Sequence, residues 1–571
     1  MSAALALEAD RVLAAGLGLD AMGWLVVPLA PLVAALLLLC WRDRVTPWLW
    51  LGGVPALLAA FWPPAAVPLP ALWPGAEWGA DDLVARAFLG FTALLWACAS
   101  VYAFASLKSH PRRLRFFGFW LLCWCGNLLL VIAQDGASFY VGFTLMSLSA
   151  YALVVHQGGA GPRQAGRLYL QLAILGEMLL YAGLLLRINE AGGAVGFADW
   201  QAAPIGGLTA VLLLVGFGLK AGFWPLHVWL PLAHPAAPAA ASAVLSGAMI
   251  KAGILGLWRF MPSDDRLLID WAGVLLAVGL ISAFYGVALG LLQTKAKAAL
   301  AYSSVSQVGY LLAILALAWQ QPQTRPLWGA LLALYAVHHG LAKGALFLGA
   351  GLASRYRLTR AQVWLMLVPA LALAGLPLTS GAAVKTLFKA QLDQSLSAHW
   401  LPLLSLGSLA TALVVARALW LMLDHQTSAP AEPAPRTLLG PWALLCLMPL
   451  GVPLAWPDMR AHGLTTTSLD ALWALLWPLL LAAVLVAVVI RSGWHMPAAW
   501  TTCPNPARRL SLRLLRLLRR PPVPPLEPHV HTPFWRARER RWNRYWHSDT
   551  VTLSVWIVCV LLLWGCMGFV G

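Results

Sequence analysis

Long apolar runs, each closed by a short polar interval, recur along this chain from about residue 24 to residue 490, and a last one follows at 550–570. A helix needs ~20 apolar residues to cross a bilayer. The chain divides into roughly sixteen such runs: 24–41, 47–66, 83–106, 115–134, 137–156, 166–188, 206–230, 238–260, 268–292, 298–319, 326–352, 362–384, 399–423, 437–456, 468–490 and 550–570. In hydrocarbon the backbone must satisfy its own hydrogen bonds, which a helix does within one segment. The pattern therefore predicts an all-α polytopic membrane protein with about 14–16 transmembrane helices.

The polar intervals alternate in charge. Intervals after odd-numbered runs carry Arg42 and Arg44, then Lys108, Arg112, Arg113 and Arg115, then Arg163 and Arg167, Lys295 and Lys297, and Arg355, Arg357 and Arg360. Intervals after even-numbered runs carry Glu77, Asp81 and Asp82, Asp135, Glu190 and Asp199, Asp264 and Asp265. Basic loops stay on the cytoplasmic side, so the odd intervals are expected there and the N-terminus outside. The first run lacks a basic flank and a clean cleavage site and reads as a retained span.

Composition supports the same class. Of 571 residues, 60% are hydrophobic and only 11% charged, against about 25% charged in soluble domains. The net charge of +17 is accounted for by topology-setting loops, with no nucleic-acid motif beside it. The eight cysteines include no C-x-x-C pair, so iron–sulfur or zinc ligation is not expected. No phosphate loop, dinucleotide fingerprint or nucleophile elbow is present, and no cofactor is expected.

Two runs break the rhythm from within. The stretch 220–260 carries Lys220, His227, His234 and Lys251 and is interrupted by Pro225, Pro231, Pro235 and Pro238. The stretch 374–391 is interrupted by Gly375, Pro377 and Gly381 and carries Lys385. A charge at membrane depth costs at least ~2.5 kcal/mol, and an internal proline costs a backbone hydrogen bond. Both together mark ion-binding or ion-moving elements in transporters. The breaks lie five runs apart, and an odd number of spans reverses orientation. Two inverted five-helix repeats, each with a broken helix, are the expected core. The expected organisation is N-terminal helices at 1–114, a first repeat at 115–260, a second at 261–395 (ending near 423), C-terminal helices at 396–490, a basic segment at 491–549 and a last helix at 550–571.

Between the breaks lie Ser303, Ser304, Ser306 and Gln307, then His338, His339 and Lys343. His339 and Lys343 are four apart and share a helix face. A row of amines and imidazoles linked by water can pass protons laterally, which is the functional reading of Lys220, Lys251, His339, Lys343 and Lys385. The alternatives are snorkelling lysines, Lys389 among them, and hydrogen-bonded packing histidines, which stay open for His227, His234 and His338. The segment 491–549 holds twelve arginines and reads either as an amphipathic helix on anionic lipid or as a topology anchor with a Pro-rich linker.

The runs PLHVWLPLAHPAAPAAASAVLSGAMIKAGILGLWRF, FYVGFTLMSLSAY, RLYLQLAILGEMLLYAG, ALAYSSVSQVGY and HHGLAKGALFLGAG resemble the antiporter-like, proton-translocating membrane subunits of respiratory complex I and membrane-bound hydrogenases. Within that family they look closest to the large antiporter-like subunit of hydrogenase-4 and formate hydrogenlyase. The resemblance covers about residues 115–395. It implies key ionisable residues at Lys220, Lys251, His339, Lys343 and Lys385. The hydrogenase branch usually has glutamate where Lys385 stands. The family's fifth span normally supplies a glutamate to the first broken-helix lysine; here Thr144 occupies that place, and Glu177 in the sixth run is the membrane-depth carboxylate that can substitute. Lys295 stands where many relatives are acidic.

The leading expectation is a proton-translocating subunit of an energy-converting complex in a bacterial cytoplasmic membrane. Other membrane subunits, a soluble cytoplasmic subunit and anionic lipid at 491–549 are its expected partners. Any redox chemistry, of the NADH dehydrogenase or hydrogenase type, would lie in other subunits. The alternatives are a cation/proton antiporter subunit, a membrane subunit coupling a proton or sodium gradient to a soluble partner, as in inorganic-carbon uptake, and a structural subunit that no longer conducts.

Overall fold

The computed structural model describes residues 19–395, 397–424, 433–455 and 469–492. The basic segment beyond Ser492 and the expected span at 550–570 lie outside the described residues.

Helices dominate, in the order α1 Leu19–Trp41, α2 Val54–Phe61, α3 Leu83–Ser106, α4 Arg113–Ile132, α5 Gly136–Val154 and α6 Ala160–Glu190. Then come the short α7 Phe197–Ala202, α8 Gly207–Ala221, α9 Leu230–Ala236, α10 Ala239–Val244 and α11 Lys251–Phe260. The rest are α12 Arg266–Leu291, α13 Ala296–Gln320, α14 Arg325–Ala353, α15 Arg360–Ala374, α16 Ser380–Asp393, α17 Leu401–Asp424, α18 Arg436–Ala455 and α19 Leu469–Arg491. One antiparallel hairpin, β1 Val67–Pro68 with β2 Glu77–Trp78, is the sole sheet among the described residues. Eleven helices there are long and apolar enough to cross a membrane, and four shorter apolar helices accompany them.

The polypeptide is a multi-pass membrane bundle. The α10–α11 stretch, α13 and α14 are buried throughout their apolar windows, whereas α6, α12 and α19 present apolar outer faces. Ile174, Met178, Val274 and Trp473 project from those faces. Apolar surface toward hydrocarbon has no hydrophobic penalty, so the faces suit lipid or a neighbouring membrane helix.

The second expected span, 47–66, takes a different form. It is a 3-10 helix Thr46–Gly53 running into α2. Pro47 starts the 3-10 segment, and Gly52 and Gly53 lie against Trp124, where a Cβ on Gly53 would meet the indole at 2.8 Å. A 3-10 helix rises ~2.0 Å per residue against ~1.5 Å in an α-helix. The compound element therefore reaches about 28 Å, close to the ~30 Å hydrocarbon thickness, with few residues.

The acidic intervals serve as helix caps. Asp82, Asp135 and Asp265 accept from backbone N–H groups at the starts of α3, α5 and α12. A Thr359–Gln362 capping box starts α15. Both predicted breaks are present: α8 and α15 each stop at a glycine with positive φ, Gly222 at 75° and Gly375 at 98°, where a side chain would be strained.

Two buried arginines hold the ends of other helices. Arg259 donates to the carbonyls of Leu130, Val131 and Ala133 at 3.1, 2.7 and 2.7 Å, satisfying the orphan C-terminal oxygens of α4. Arg187 donates to Pro204 and Ala203 at 2.5 and 2.8 Å, and to Trp200, closing the turn between α7 and α8.

Asp135 is fully buried and accepts from Ser138 N at 2.7 Å, Glu77 N at 3.1 Å, Trp73 Nε1 at 3.3 Å and the Ser138 hydroxyl at 2.5 Å. Burial pushes its carboxyl above the ordinary range, against the pull of those hydrogen bonds. It joins the hairpin to α5, so Asp135→Ala should lower stability by about 2–4 kcal/mol, a lost cap plus stranded donors. The unfolding midpoint in detergent measures this, and Asp135→Asn, which keeps an acceptor, should retain more than half of it.

Candidate functional site

The αL glycine that ends α8 leaves Lys220 in its last turn, at the negative pole of the helix. The side chain is buried. Its Nζ donates to Ser147 Oγ of α5 at 3.2 Å and to Tyr169 OH of α6 at 3.3 Å. The ammonium also faces the rings of Phe143 and Tyr169, 5.7 and 5.8 Å from their centroids. Tyr169 OH is fixed by donating to Ser147 O at 2.7 Å.

Glu177 of α6 lines the same small cavity as Lys220, Ser147, Tyr169 and Trp229. Thr144 Oγ1 donates to Glu177 Oε2 at 2.6 Å. Oε1 has no hydrogen-bond partner among the described residues. No ion pair joins Glu177 to Lys220 among the described residues. The two groups share a space rather than a contact.

The break between α8 and α9 is pinned from outside: Trp224 N donates to Ser282 Oγ of α12 at 3.0 Å. His227 lies in this break, buried, with its ring edge-on to Tyr285 at 5.0 Å.

Lys251 opens α11 directly after a π-helical turn, Leu245–Met249. In that turn Ile250 N–H bonds to Leu245 O at 3.2 Å. The Ser246 carbonyl accepts from Lys251 Nζ at 2.5 Å. Such π-bulges recur at functional positions because they redirect backbone oxygens. Ser246 Oγ lies 2.7 Å from Ser304 Oγ, which in turn donates to Leu300 O at 3.1 Å. Lys343 Nζ of α14 donates to the same Leu300 oxygen at 3.0 Å. Two serine hydroxyls and the carbonyls of Ser246 and Leu300 thus connect the two buried lysines.

His339 sits one turn from Lys343 and is fully buried, with Lys251, Lys343 and His338 as its charged or titratable neighbours. His338 Nδ1 pairs with Ser380 Oγ at 2.8 Å, at the start of α16. Lys385, half-buried on α16, donates to the Ala374 carbonyl at the end of α15. The second broken helix therefore also places an ammonium at the negative end of its first half.

The structure brings Lys251 of α11 and His339 and Lys343 of α14 into one cluster, with α13 supplying Ser304 and Leu300 between them. Lys220 and Glu177, with Thr144 bonded to Glu177, form a second group around the cavity, and the His338–Ser380 pair ties α14 to α16, which carries Lys385. His227 stands by the first break with no hydrogen-bond partner for its ring among the described residues. Sequence reasoning missed Ser147 and Tyr169 as oxygens for Lys220. Ser147 could have been found from its spacing of three from Thr144, which puts both on one face. The π-turn at Leu245–Met249 has no such signal.

Residues 133–414 match the family described as NADH:quinone oxidoreductase/Mrp antiporter, transmembrane. Hydrogenase-4 component B of Escherichia coli (strain K12) is 30% identical over 465 residues, covering 74% of this chain and 64% of that protein. A chain in the structure of the Mrp complex from Dietzia sp. DQ12-45-1b superposes with a TM-score of 0.70 at 21% identity, covering 96% of this chain and 62% of that one. A chain of the membrane-bound sulfane sulfur reductase, an archaeal respiratory membrane complex, superposes with a TM-score of 0.64 at 17% identity, covering 77% of this chain and 96% of that one. This chain thus spans just under two thirds of the length of the hydrogenase-4 and Mrp relatives.

A buried ammonium with no anion beside it is costly to keep. Lys343→Met should therefore raise the unfolding midpoint, by about 1–4 kcal/mol on the scale of buried-ion replacements, while ion transport falls. A joint fall of stability and transport would make Lys343 a structural residue.

Proposed function

We infer that this chain, a member of the antiporter-like membrane subunit family of respiratory complex I, Mrp antiporters and membrane-bound hydrogenases through residues 133–414, translocates protons within a multi-subunit membrane complex. The observation that carries the reading is the set of buried amines at both helix breaks and between them: Lys220, Lys251, Lys343 and Lys385, with His339 among them. Every hydrogen bond found for these ammonium groups goes to a hydroxyl or carbonyl oxygen. An ammonium held by neutral oxygens can release its proton without leaving a carboxylate stranded.

Glu177 takes the part of the fifth-span glutamate that Thr144 lacks. The carboxylate reaches the Lys220 cavity from α6, and Thr144 holds one of its oxygens. In this reading Glu177 and Lys220 exchange protons across the cavity, Lys251, His339 and Lys343 carry charge through the centre, and Lys385 closes the row. His227 is a secondary candidate beside the first break.

Two inverted five-helix repeats are the proposed frame. A recurrent feature supports it: α4 and α5 approach at Gly126 and Gly142, and α12 and α13 approach at Gly279 and Gly309. A Cβ at any of these four would lie within 2.4–2.6 Å of the facing backbone. The proposed boundaries are 115–260 and 261–395, with the N-terminus outside the cytoplasm. The proposed partners are further membrane subunits and a soluble cytoplasmic subunit.

Proton flux in vesicles containing the assembled complex tests the reading. Glu177→Gln and Lys220→Met should each lower flux by about a hundredfold, the usual scale for losing a positioned acid or base. Thr144→Ala should cost far less. Unchanged flux in Glu177→Gln would remove the substitution hypothesis. Transport that requires sodium would favour the cation/proton antiporter reading.

A further inference from the structure

Another titratable side chain stands between the buried row and the basic face of the protein. His234, on α9, is completely buried, and neither ring nitrogen has a hydrogen-bond partner among the described residues. Its ring stacks on Phe347 at 4.5 Å and 20°. Phe347 is four residues from Lys343 on α14, about 6 Å along the axis. Ser242 Oγ donates to the His234 carbonyl at 2.9 Å, holding the turn after α9.

Lys297 approaches the same turn from α13. Its Nζ donates to Ala237 O at 2.8 Å, three residues after His234. Lys297 is half-buried, two residues from the exposed Lys295. Leu300, whose carbonyl accepts from Lys343, is three residues further into the membrane on α13, about 4.5 Å. The charged groups around the imidazole are Lys297, Lys343 and Lys251, and Arg355 lies beyond Lys297. No carboxylate is among them.

We propose that His234 and Lys297 form the access branch by which the buried row exchanges protons with water at the arginine- and lysine-rich face. Packing alone does not account for His234. A buried ring with two unmatched polar nitrogens costs about 1–3 kcal/mol for each unsatisfied group, and a phenyl ring would stack on Phe347 without that cost. A relay uses both nitrogens. The Lys297 ammonium passes a proton through water to one ring nitrogen, and the imidazolium releases the proton on its other nitrogen to the neutral Lys343 amine. The ring returns to neutral as the other tautomer, and Lys297 regains its proton from bulk water.

The branch rests on the translocation reading above, and the test keeps the two apart. The assembled complex is placed in vesicles, and flux is measured while pH is varied on the Lys297 face. His234→Gln and Lys297→Met should each lower flux at least about tenfold. The remaining flux should rise in proportion to proton concentration on that face, because proton supply has become limiting. Parent flux in an assembled His234→Gln complex overturns the branch. So does a loss of the same size at every pH, which is what a packing defect gives. If His234→Gln fails to assemble, Lys297→Met decides, and parent flux there overturns the proposal. Lys343→Met at the parent rate overturns the row and the branch with it. Loss in Lys343→Met with parent flux in His234→Gln overturns the branch alone.

Discussion

The structure depends on how ammonium groups are held in an apolar bundle without anions beside them. Removing a charge from water is prohibitive unless polar atoms take the place of solvent. Regular helices have few oxygens to spare, because each interior carbonyl already accepts from its own backbone. The chain obtains them by interrupting its helices. Gly222 ends α8 so that Lys220 lies at a helix C-terminus, Gly375 ends α15 so that Ala374 O meets Lys385, and a π-turn accompanies the Ser246 carbonyl that meets Lys251. The breaks and the lysines are therefore one feature. A regular helix would leave Lys251 and Lys385 without their carbonyls, whereas Lys220 is held by Ser147 and Tyr169 of neighbouring helices.

Neutral ligands have a consequence for chemistry. A carboxylate held against a lysine locks the proton in place, because each partner stabilises the charge of the other. Carbonyl and hydroxyl oxygens give the charged form a smaller advantage. Protons can then leave Lys251 or Lys343 without creating an unpaired buried anion. The central carboxylate, Glu177, sits at the margin of this arrangement, sharing a cavity with Lys220 and bonded to Thr144. The arginines follow the opposite logic. Arg187 and Arg259 donate to several carbonyls at helix ends and serve as caps.

Much of this was legible in the sequence. Glycine and proline act through backbone geometry alone, so a break in 220–260, read from its prolines, and one at Gly375 could be placed without tertiary information. Apolar length located the spans for the same reason, and an isolated lysine in an apolar run is conspicuous. The rest depends on contacts between distant segments. The 3-10 form of Thr46–Gly53 follows from packing of Gly53 on Trp124, which no local pattern encodes. Ser147 and Tyr169 become ligands of Lys220 only because α5 and α6 pack beside α8. A buried serine reads as an ordinary small helix residue until its partner is known.

His234 and His338 show why residue type alone leaves histidines ambiguous. Both occupy apolar, proline- or glycine-flanked surroundings in the sequence, and either could be a packing residue. Their environments separate them. His338 has a hydroxyl partner at 2.8 Å that ties α14 to α16, so one ring nitrogen has a structural use. His234 has no such partner and stands between amines on two helices that run antiparallel toward the basic face. The unpartnered ring of His234 thus lies on Phe347, one helical turn from Lys343, and three residues before the turn that Lys297 holds.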